Sequence, residues 1–176
     1  MKLSDNYFEI FGLPVSTAPD AGAIDEAYKR LQREWHPDRF SAGSDEEKRR
    51  AMQYTSVINQ ARQTLTDPLA RAIYLLSLKG VDLDAETDTR MRPEFLMAQM
   101  ELRERLELVD GAADPYAAID KLRDEVAVHA RDTATTFAAA WEGDDTAGAR
   151  DLAREWQFLD KLRRELDEKE QRLDGD

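Results

Sequence analysis

The sequence predicts an all-α protein with two helical units: an N-terminal helical hairpin with flanking helices, joined to a C-terminal three-helix bundle. Eight glycines and six prolines interrupt 176 residues, so turns are few and the helices between them are long. Hydrophobic residues form 41% of the chain and recur at spacings of three and four residues, as on the buried side of a helix. An acidic stretch at residues 80–92 is predicted to be a linker between units 1–79 and 93–176.

The first unit begins with two predicted helices and a loop. A short helix starts near Asp5 and ends at Gly12. A second starts at the capping residue Asp20 and stops before Pro37, because a residue that precedes proline is pushed out of the helical conformation. Residues 37–43, which begin with proline and end with glycine, are predicted to form a loop.

Two further helices complete this unit. Ser44 is followed three residues later by Glu47, a capping box that starts a helix reaching about Leu65. Another helix begins at Pro68 and ends near Lys79. The side chains predicted to face the core are Ile24, Tyr28, Leu31 and Trp35 in the second helix, and Tyr54, Ile58, Ala61 and Leu65 in the third.

The second unit contains three predicted helices joined by short connections, which makes an antiparallel bundle. They begin at Pro93, Pro115 and about Asp145, and the last one reaches about Leu173. The side chains predicted to fill its core are Phe95, Leu102, Leu106, Val109, Ile119, Leu122, Val126, Phe137, Trp141, Leu152, Trp156, Leu159, Leu162 and Leu166.

Charge is divided unevenly between the two units. Residues 1–80 carry equal numbers of Lys/Arg and Asp/Glu, and the net charge of −12 comes entirely from residues 81–176. This imbalance predicts different partners for the two units. It also argues against nucleic acid as a partner, because nucleic acid is bound through basic surfaces.

Composition excludes several kinds of site. The chain has no cysteine, so its own side chains cannot form disulfides, thiolate zinc sites or iron–sulfur ligands, and no cofactor is predicted. The first ten residues lack the apolar core of a signal peptide, and no apolar run reaches the length of a membrane span. We therefore expect a soluble, cytoplasmic protein, with a monomer as its simplest state.

A basic face lies opposite the core stripe of the second helix. At 100° per residue, Lys29, Arg30 and Arg33 fall on the side away from the apolar positions. The helix leads into His36-Pro37-Asp38, and Arg39 adds another positive charge. Taken alone, the basic residues are typical of a solvated surface, and the tripeptide is typical of a helix stop. Their coincidence between two long helices favours a binding site.

The tripeptide and its surroundings closely resemble a J domain, the module that stimulates seventy-kilodalton heat-shock chaperones. The resemblance implies that His36, Pro37 and Asp38 dock on the nucleotide-binding domain of the chaperone and promote ATP hydrolysis. Pro37 would fix the turn, and Asp38 would accept a hydrogen bond from an arginine or backbone donor of the chaperone. Phe40 would anchor the loop in the core. The basic residues that would steer docking are Lys29, Arg30, Arg33 and Arg39.

The helix that begins at Pro93 carries two apolar faces. One is an ordinary core stripe. The other combines apolar with acidic side chains: Leu96, Met97, Met100, Glu101 and Glu104. A helix in a small bundle needs only one apolar face, and an apolar patch rimmed by charge is typical of a binding site. The alternative is that this second face packs on the N-terminal unit.

Nearly the whole chain resembles the HscB co-chaperone family, in its simpler bacterial form. The stretches that carry the resemblance are Phe11-Gly12-Leu13-Pro14, Ile58-Asn59-Gln60-Ala61, Tyr74-Leu75-Leu76, Phe95-Leu96-Met97, Glu101-Leu102-Arg103-Glu104 and Phe158-Leu159-Asp160-Lys161-Leu162. The resemblance implies delivery of the iron–sulfur scaffold IscU to the chaperone HscA, with stimulation of the HscA ATPase. It places the scaffold contact at Leu96, Met97, Met100, Glu101, Glu104 and Phe158. Leu108 departs from the family, which favours an acidic residue there.

Two other functions are compatible with parts of the sequence. An enzyme would need an acid–base pair, but His36 and Asp38 are separated only by proline and orient each other poorly. No phosphate-binding loop or metal-ligand spacing occurs, and His129 stands alone within a helix, as a structural histidine does. We therefore predict that the protein is not an enzyme but an activator of a partner ATPase. A J-domain co-chaperone for a different client protein is the alternative.

Overall fold

Seven α-helices lie in the parts of the chain that the computed structural model describes, residues 5–83 and 92–175, and they confirm the all-α fold. They are α1 (Tyr7–Phe11), α2 (Ala21–Trp35), α3 (Asp45–Thr66), α4 (Pro68–Leu78), α5 (Pro93–Leu108), α6 (Pro115–Glu142) and α7 (Thr146–Gly175). One compact unit ends at Leu75 and the other begins at Leu76. Residues 84–91, most of the predicted linker, fall outside the described ranges. Within those ranges, no helix has the length and apolar character that crossing a membrane requires.

Local caps set the helix ends in the first unit. α1 starts at Tyr7, slightly later than predicted, because Asn6 and Glu9 form its capping box. Gly12 ends α1 with a φ of 71°, a left-handed conformation that glycine adopts without steric cost. Asp20 starts α2 by accepting a hydrogen bond from the Ala23 amide at 2.7 Å.

The hairpin of α2 and α3 forms the centre of this unit. The predicted capping box of Ser44 and Glu47 starts α3, and the hydrogen bond from the Ser44 amide lowers the pKa of Glu47. The buried side chains of the hairpin are Ile24, Ala27 and Leu31 of α2 and Ala51, Ile58, Ala61 and Leu65 of α3.

Three aromatic residues predicted to be in this core are only half-buried. Tyr28 points its hydroxyl outward and donates to the Asn59 side chain at 3.1 Å. Trp35 and Tyr54 contact each other at the edge of the hairpin, with ring centroids 4.1 Å apart. The position of Tyr28 lets its hydroxyl keep a hydrogen-bond partner while its ring still packs on the hairpin.

α5, α6 and α7 pack around one core, as predicted. Its buried side chains are Phe95, Leu102, Leu106, Val109, Ile119, Leu122, Val126, Phe158, Leu159, Leu162 and Leu166. Trp141 and Trp156, also predicted to be in the core, are half-buried and flank Phe137, with ring centroids 6.5 and 6.4 Å from it. A 3₁₀ turn, Val109–Gly111, follows α5.

Ion pairs join the three helices to one another. They are Arg103–Glu165 between α5 and α7, Arg105–Glu125 between α5 and α6, and Arg123–Glu170 between α6 and α7, with N–O distances of 2.5, 2.8 and 2.5 Å. Each side chain is partly buried, so the pairs are less screened than pairs in open water. The two arginines in the middle of α5 are therefore committed to neighbouring helices.

Candidate functional site

The loop predicted at residues 37–43 begins with a tight turn, which contains the His36-Pro37-Asp38 segment. Pro37–Phe40 is one turn of 3₁₀ helix, closed by the Arg39 amide, which donates to the His36 carbonyl at 3.0 Å. The Asp38 amide donates to Nδ1 of His36 at 3.3 Å, so the imidazole caps the turn. The Asp38 carboxylate is 92% exposed. The turn thus presents one carboxylate to solvent on a fixed backbone.

Aromatic side chains hold this turn from the side of the hairpin. The rings of Trp35 and Phe40 stack with centroids 6.1 Å apart, and Trp35 also packs on Tyr54. Phe40 was predicted to anchor the loop within the core. It is half-buried, so it anchors the turn at the edge of the core instead. The stack of Trp35 on Phe40 therefore joins residues on the two sides of the tripeptide.

Three basic residues of the candidate site lie on the exposed side of α2 and Arg39 lies in the turn that follows, and all but Lys29 donate side-chain hydrogen bonds to backbone carbonyls, Arg33 to that of Lys29 at 3.2 Å. Lys29 and Arg33 are exposed, in the positions that helical geometry predicts. Arg30 donates to the Phe11 carbonyl at 3.2 Å and so also ties α2 to the end of α1. Arg39 donates to the Arg33 carbonyl at 2.7 Å, a contact that sequence reasoning did not predict.

The second candidate surface lies on α5. Met97 and Met100 are 75% and 73% exposed and Leu96 is 44% exposed, whereas Leu102 on the opposite face is 2% exposed. Glu101 and Glu104 are exposed between these apolar side chains, and so is Leu108 farther along the same face. This surface is not buried within the three-helix unit, so α5 carries an apolar face beyond the one that its own core uses. We call it the acidic apolar strip, and its members are Leu96, Met97, Met100, Glu101, Glu104, Glu107 and Leu108.

The glutamates of the acidic apolar strip have no partner in the part of the chain that the structure describes. Within residues 5–83 and 92–175, the carboxylates of Glu101, Glu104 and Glu107 make no ion pair or side-chain hydrogen bond. The neighbouring arginines of α5 would be suitable partners, but Arg103 and Arg105 are bound to Glu165 and Glu125 on other helices. The strip therefore presents negative charge that none of the described residues neutralises by direct contact.

Phe158 does not share in this surface, although it was predicted to. Its position at the margin of the apolar stripe of α7 implied a shared or exposed ring, but the ring is 8% exposed and belongs to the core. It packs edge-on against Phe95 with ring centroids 5.7 Å apart, and the Arg103 guanidinium covers it at 5.6 Å. The side chain fills the space between α5 and α7, so it supports α5 from beneath.

Phe158→Ala should therefore act mainly on stability. Removing a buried phenylalanine leaves a cavity, and we expect the free energy of unfolding to fall by about 3 kcal/mol. Urea denaturation followed by circular dichroism would measure this loss. Met97→Ala is the matched control, because Met97 is 75% exposed and should change stability by no more than about 0.5 kcal/mol. Equal stability of Phe158→Ala and the unmodified protein would contradict the buried placement.

An ion pair between Arg92, which is half-exposed, and a buried carboxylate at the start of α5 was also missed from the sequence. Glu155 of α7 is 2% exposed, and both its oxygens accept hydrogen bonds from Arg92, at 2.7 and 2.5 Å. These hydrogen bonds raise the pKa of Arg92. The spacing of the sequence indicates that Glu155 is buried. It follows Leu152 by three residues and precedes Leu159 by four, so it lies in the apolar stripe of α7. The pair fixes the first turn of α5, next to the strip.

No arrangement for catalysis is evident among the described residues. His129 is half-buried in α6, and no three His, Asp or Glu side chains of residues 5–83 and 92–175 come together as metal ligands would. His36 Nδ1 and the nearest Asp38 oxygen are 3.6 Å apart, and both side chains lie exposed in the turn. Both candidate surfaces have the character of protein-binding sites.

Comparisons with known proteins cover both units. A family model described as the DnaJ domain matches residues 6–74, and one described as the HSCB C-terminal oligomerisation domain matches residues 91–167. A protein of Burkholderia thailandensis described as a co-chaperone protein HscB homolog is 41% identical over 174 residues, which is 99% of both chains. The solved structure of the chaperone HscB from Vibrio cholerae is 38% identical, with a TM-score of 0.83 over 96% of this chain and 99% of that one. The crystal structure of human co-chaperone protein HscB is 28% identical, with a TM-score of 0.88 over 97% and 84% of the two chains.

Proposed function

The chain belongs to the HscB family of J-domain co-chaperones of iron–sulfur cluster assembly, and from this we propose that it couples two proteins. Its first unit would stimulate the ATPase of an HscA-type chaperone, and its second unit would deliver an IscU-type scaffold to that chaperone. The family is one of regulators and not of enzymes, so the chemistry of ATP hydrolysis belongs to the chaperone. The observation that best supports the proposal is that each unit carries one exposed surface of distinct chemistry.

On the first unit, the turn and the basic residues would act at successive stages. Lys29 and Arg33 would attract an acidic surface of the chaperone, and such attraction weakens with salt. Asp38 would then accept a charge-assisted hydrogen bond from an arginine or amide of the chaperone. Pro37 restricts the backbone before docking, so less conformational entropy is lost on binding.

On the second unit, the acidic apolar strip would bind the scaffold. Methionine side chains adapt to an irregular partner surface, and Leu96 would add a fixed apolar contact. The unpaired carboxylates of Glu101 and Glu104 favour a partner that carries lysine or arginine beside its apolar residues. Phe158 would take part indirectly, by holding α5 in position from the core.

Two finer points belong to the same proposal. We propose that the protein acts as a monomer in the cytoplasm, although the family model that matches residues 91–167 is described as an oligomerisation domain. Sedimentation at rising protein concentration would measure this state directly. A J-domain co-chaperone with a different client is the second candidate, and the specificity of the acidic apolar strip would distinguish the two.

The decisive experiment is ATPase stimulation of the HscA-type chaperone, measured with the co-chaperone alone, with the scaffold alone and with both. We expect the two together to exceed the sum of their separate effects, because a delivered client and a docked turn act on one chaperone molecule. Stimulation by the co-chaperone alone, with no further increase on adding the scaffold, would favour the different-client alternative. No stimulation at all would contradict the proposed function.

A further inference from the structure

The C-terminus of α2 is capped in an unusual way. The last four carbonyls of a helix have no partner within the helix, and a glycine cap commonly supplies donors to them. Only His36 separates the end of α2 from Pro37, which has no amide hydrogen to donate. The carbonyls of the last turn must therefore find donors elsewhere, and in this chain they find them on two side chains.

One donor comes from the residue that follows the tripeptide. Nη1 of Arg39 lies 2.7 Å from the Arg33 carbonyl oxygen and 3.5 Å from that of Glu34. The guanidinium thus reaches back along the helix that the chain has just left. This contact closes a ring that contains residues 34–38, and the tripeptide lies within that ring.

The other donor comes from α3. The Thr55 hydroxyl donates to the Trp35 carbonyl at 3.0 Å, and this carbonyl belongs to the last residue of α2. Thr55 thus holds the last carbonyl before the tripeptide, and Arg39, the first residue after the tripeptide, is tied back to carbonyls that precede it. All these contacts are to main-chain oxygens of the last turn of α2, so they hold the two ends of the tripeptide segment to the hairpin.

We propose that Arg39 and Thr55 are positioning residues that hold the His36-Pro37-Asp38 turn in its docking conformation. Arg39 then acts through the carbonyls of α2, in addition to any attraction between its charge and the chaperone. A guanidinium has several donors in a fixed plane, whereas the ammonium of lysine is a single flexible point charge. Lysine at position 39 would keep the positive charge, but it would lose the contact with the carbonyls of Arg33 and Glu34. This inference rests on the proposed function for its ATPase readout but not for its structural readout.

The test uses the full-length chain with four substitutions and one control. Thr55→Val keeps the shape and removes the donor, and Thr55→Ser restores the donor. Arg39→Lys keeps the charge, and Arg39→Ala removes both charge and contact. Thr66→Val is the matched control, because the Thr66 hydroxyl donates to the Arg62 carbonyl in the same helix, away from the turn.

Amide hydrogen exchange is the first readout. We expect the Asp38 and Arg39 amides to exchange several-fold faster in Thr55→Val and Arg39→Lys, with protection restored in Thr55→Ser and unchanged in Thr66→Val. Exchange at wild-type rates in both Thr55→Val and Arg39→Lys would overturn the inference, whatever the chaperone does.

ATPase stimulation at increasing co-chaperone concentration is the second readout. If only about one-fifth of the turns remain in the docking conformation, the half-saturating concentration should rise about fivefold in Thr55→Val and Arg39→Lys. The salt dependence of stimulation should stay as in the unmodified protein, because neither change alters net charge. Stimulation by Arg39→Lys equal to that of the unmodified protein would mean that charge alone matters and would overturn the role of Arg39. Failure of the unmodified protein to stimulate would contradict the proposed function, while the exchange data would still decide the positioning role.

Discussion

Replacing Asp38 by asparagine or His36 by glutamine is expected to abolish stimulation of the HscA-type ATPase, reducing it at least about tenfold, while scaffold binding stays unchanged. The Asp38 carboxylate is 92% exposed and has no structural task that would make the protein unfold on its loss. Asparagine keeps the shape but removes the charge, so a donor of the chaperone would be desolvated without a charged acceptor. Such a loss costs about 2–5 kcal/mol in protein interfaces.

The two substitutions act on the turn by different physical routes. Asp38→Asn removes the contact itself, whereas His36→Gln removes the imidazole that accepts a hydrogen bond from the Asp38 amide at 3.3 Å. Asp45→Asn is the matched control, since it makes the same chemical change at an exposed position in the first turn of α3. Single-turnover ATP hydrolysis by the chaperone would measure stimulation, and scaffold capture would be measured on the same samples. Full stimulation by either variant would show that the turn is not the docking element.

Features that depend on neighbouring residues in the chain could be predicted from the sequence. The capping pair of Ser44 and Glu47, the proline stop after Trp35 and the apolar spacing in α7 are of this kind. Helical geometry also placed Met97 and Met100 on a face separate from the core, because angular position follows directly from spacing.

Features that depend on a residue far along the chain could not be predicted in the same way. Phe158 was expected at the margin of the apolar stripe of α7 but is buried, because Phe95 of α5 packs edge-on against it. Thr55 gave no signal of its contact with the Trp35 carbonyl, which depends on how α2 and α3 are aligned. The angular position of a residue within one helix shows whether its side chain points outward. Whether a side chain at the edge of the apolar stripe is buried depends on how the neighbouring helices pack against it.

The pairing of charged side chains on α5 also could not be predicted from the sequence. The run Glu101-Leu102-Arg103-Glu104-Arg105 invites pairing between glutamate and arginine within the helix, which would neutralise its surface. Instead the arginines pair with Glu165 and Glu125 on other helices. The sequence shows how many charges a helix carries, but only the fold shows which of them are left for a partner.

Met100→Asp is expected to weaken scaffold binding at least about thirtyfold and to leave basal stimulation of the chaperone, without scaffold, unchanged. Met100 is 73% exposed, so the substitution should not disturb the core. In a complex the new carboxylate would be buried against apolar groups of the scaffold, beside the carboxylates of Glu101 and Glu104. Desolvation and like-charge repulsion then both oppose binding, and each can cost more than 1 kcal/mol.

Val128→Asp is the control for this experiment, because Val128 is also an exposed apolar residue of the same unit but lies on α6, away from the strip. Isothermal titration of scaffold into each variant would give the dissociation constants, and circular dichroism would verify that each variant is folded. Unchanged affinity of Met100→Asp would place the scaffold elsewhere on the protein, whereas equal losses in both variants would point to a general effect of added negative charge. A loss confined to Met100→Asp would identify the acidic apolar strip as the surface that binds the scaffold, because the two proteins differ only in where the same carboxylate is placed.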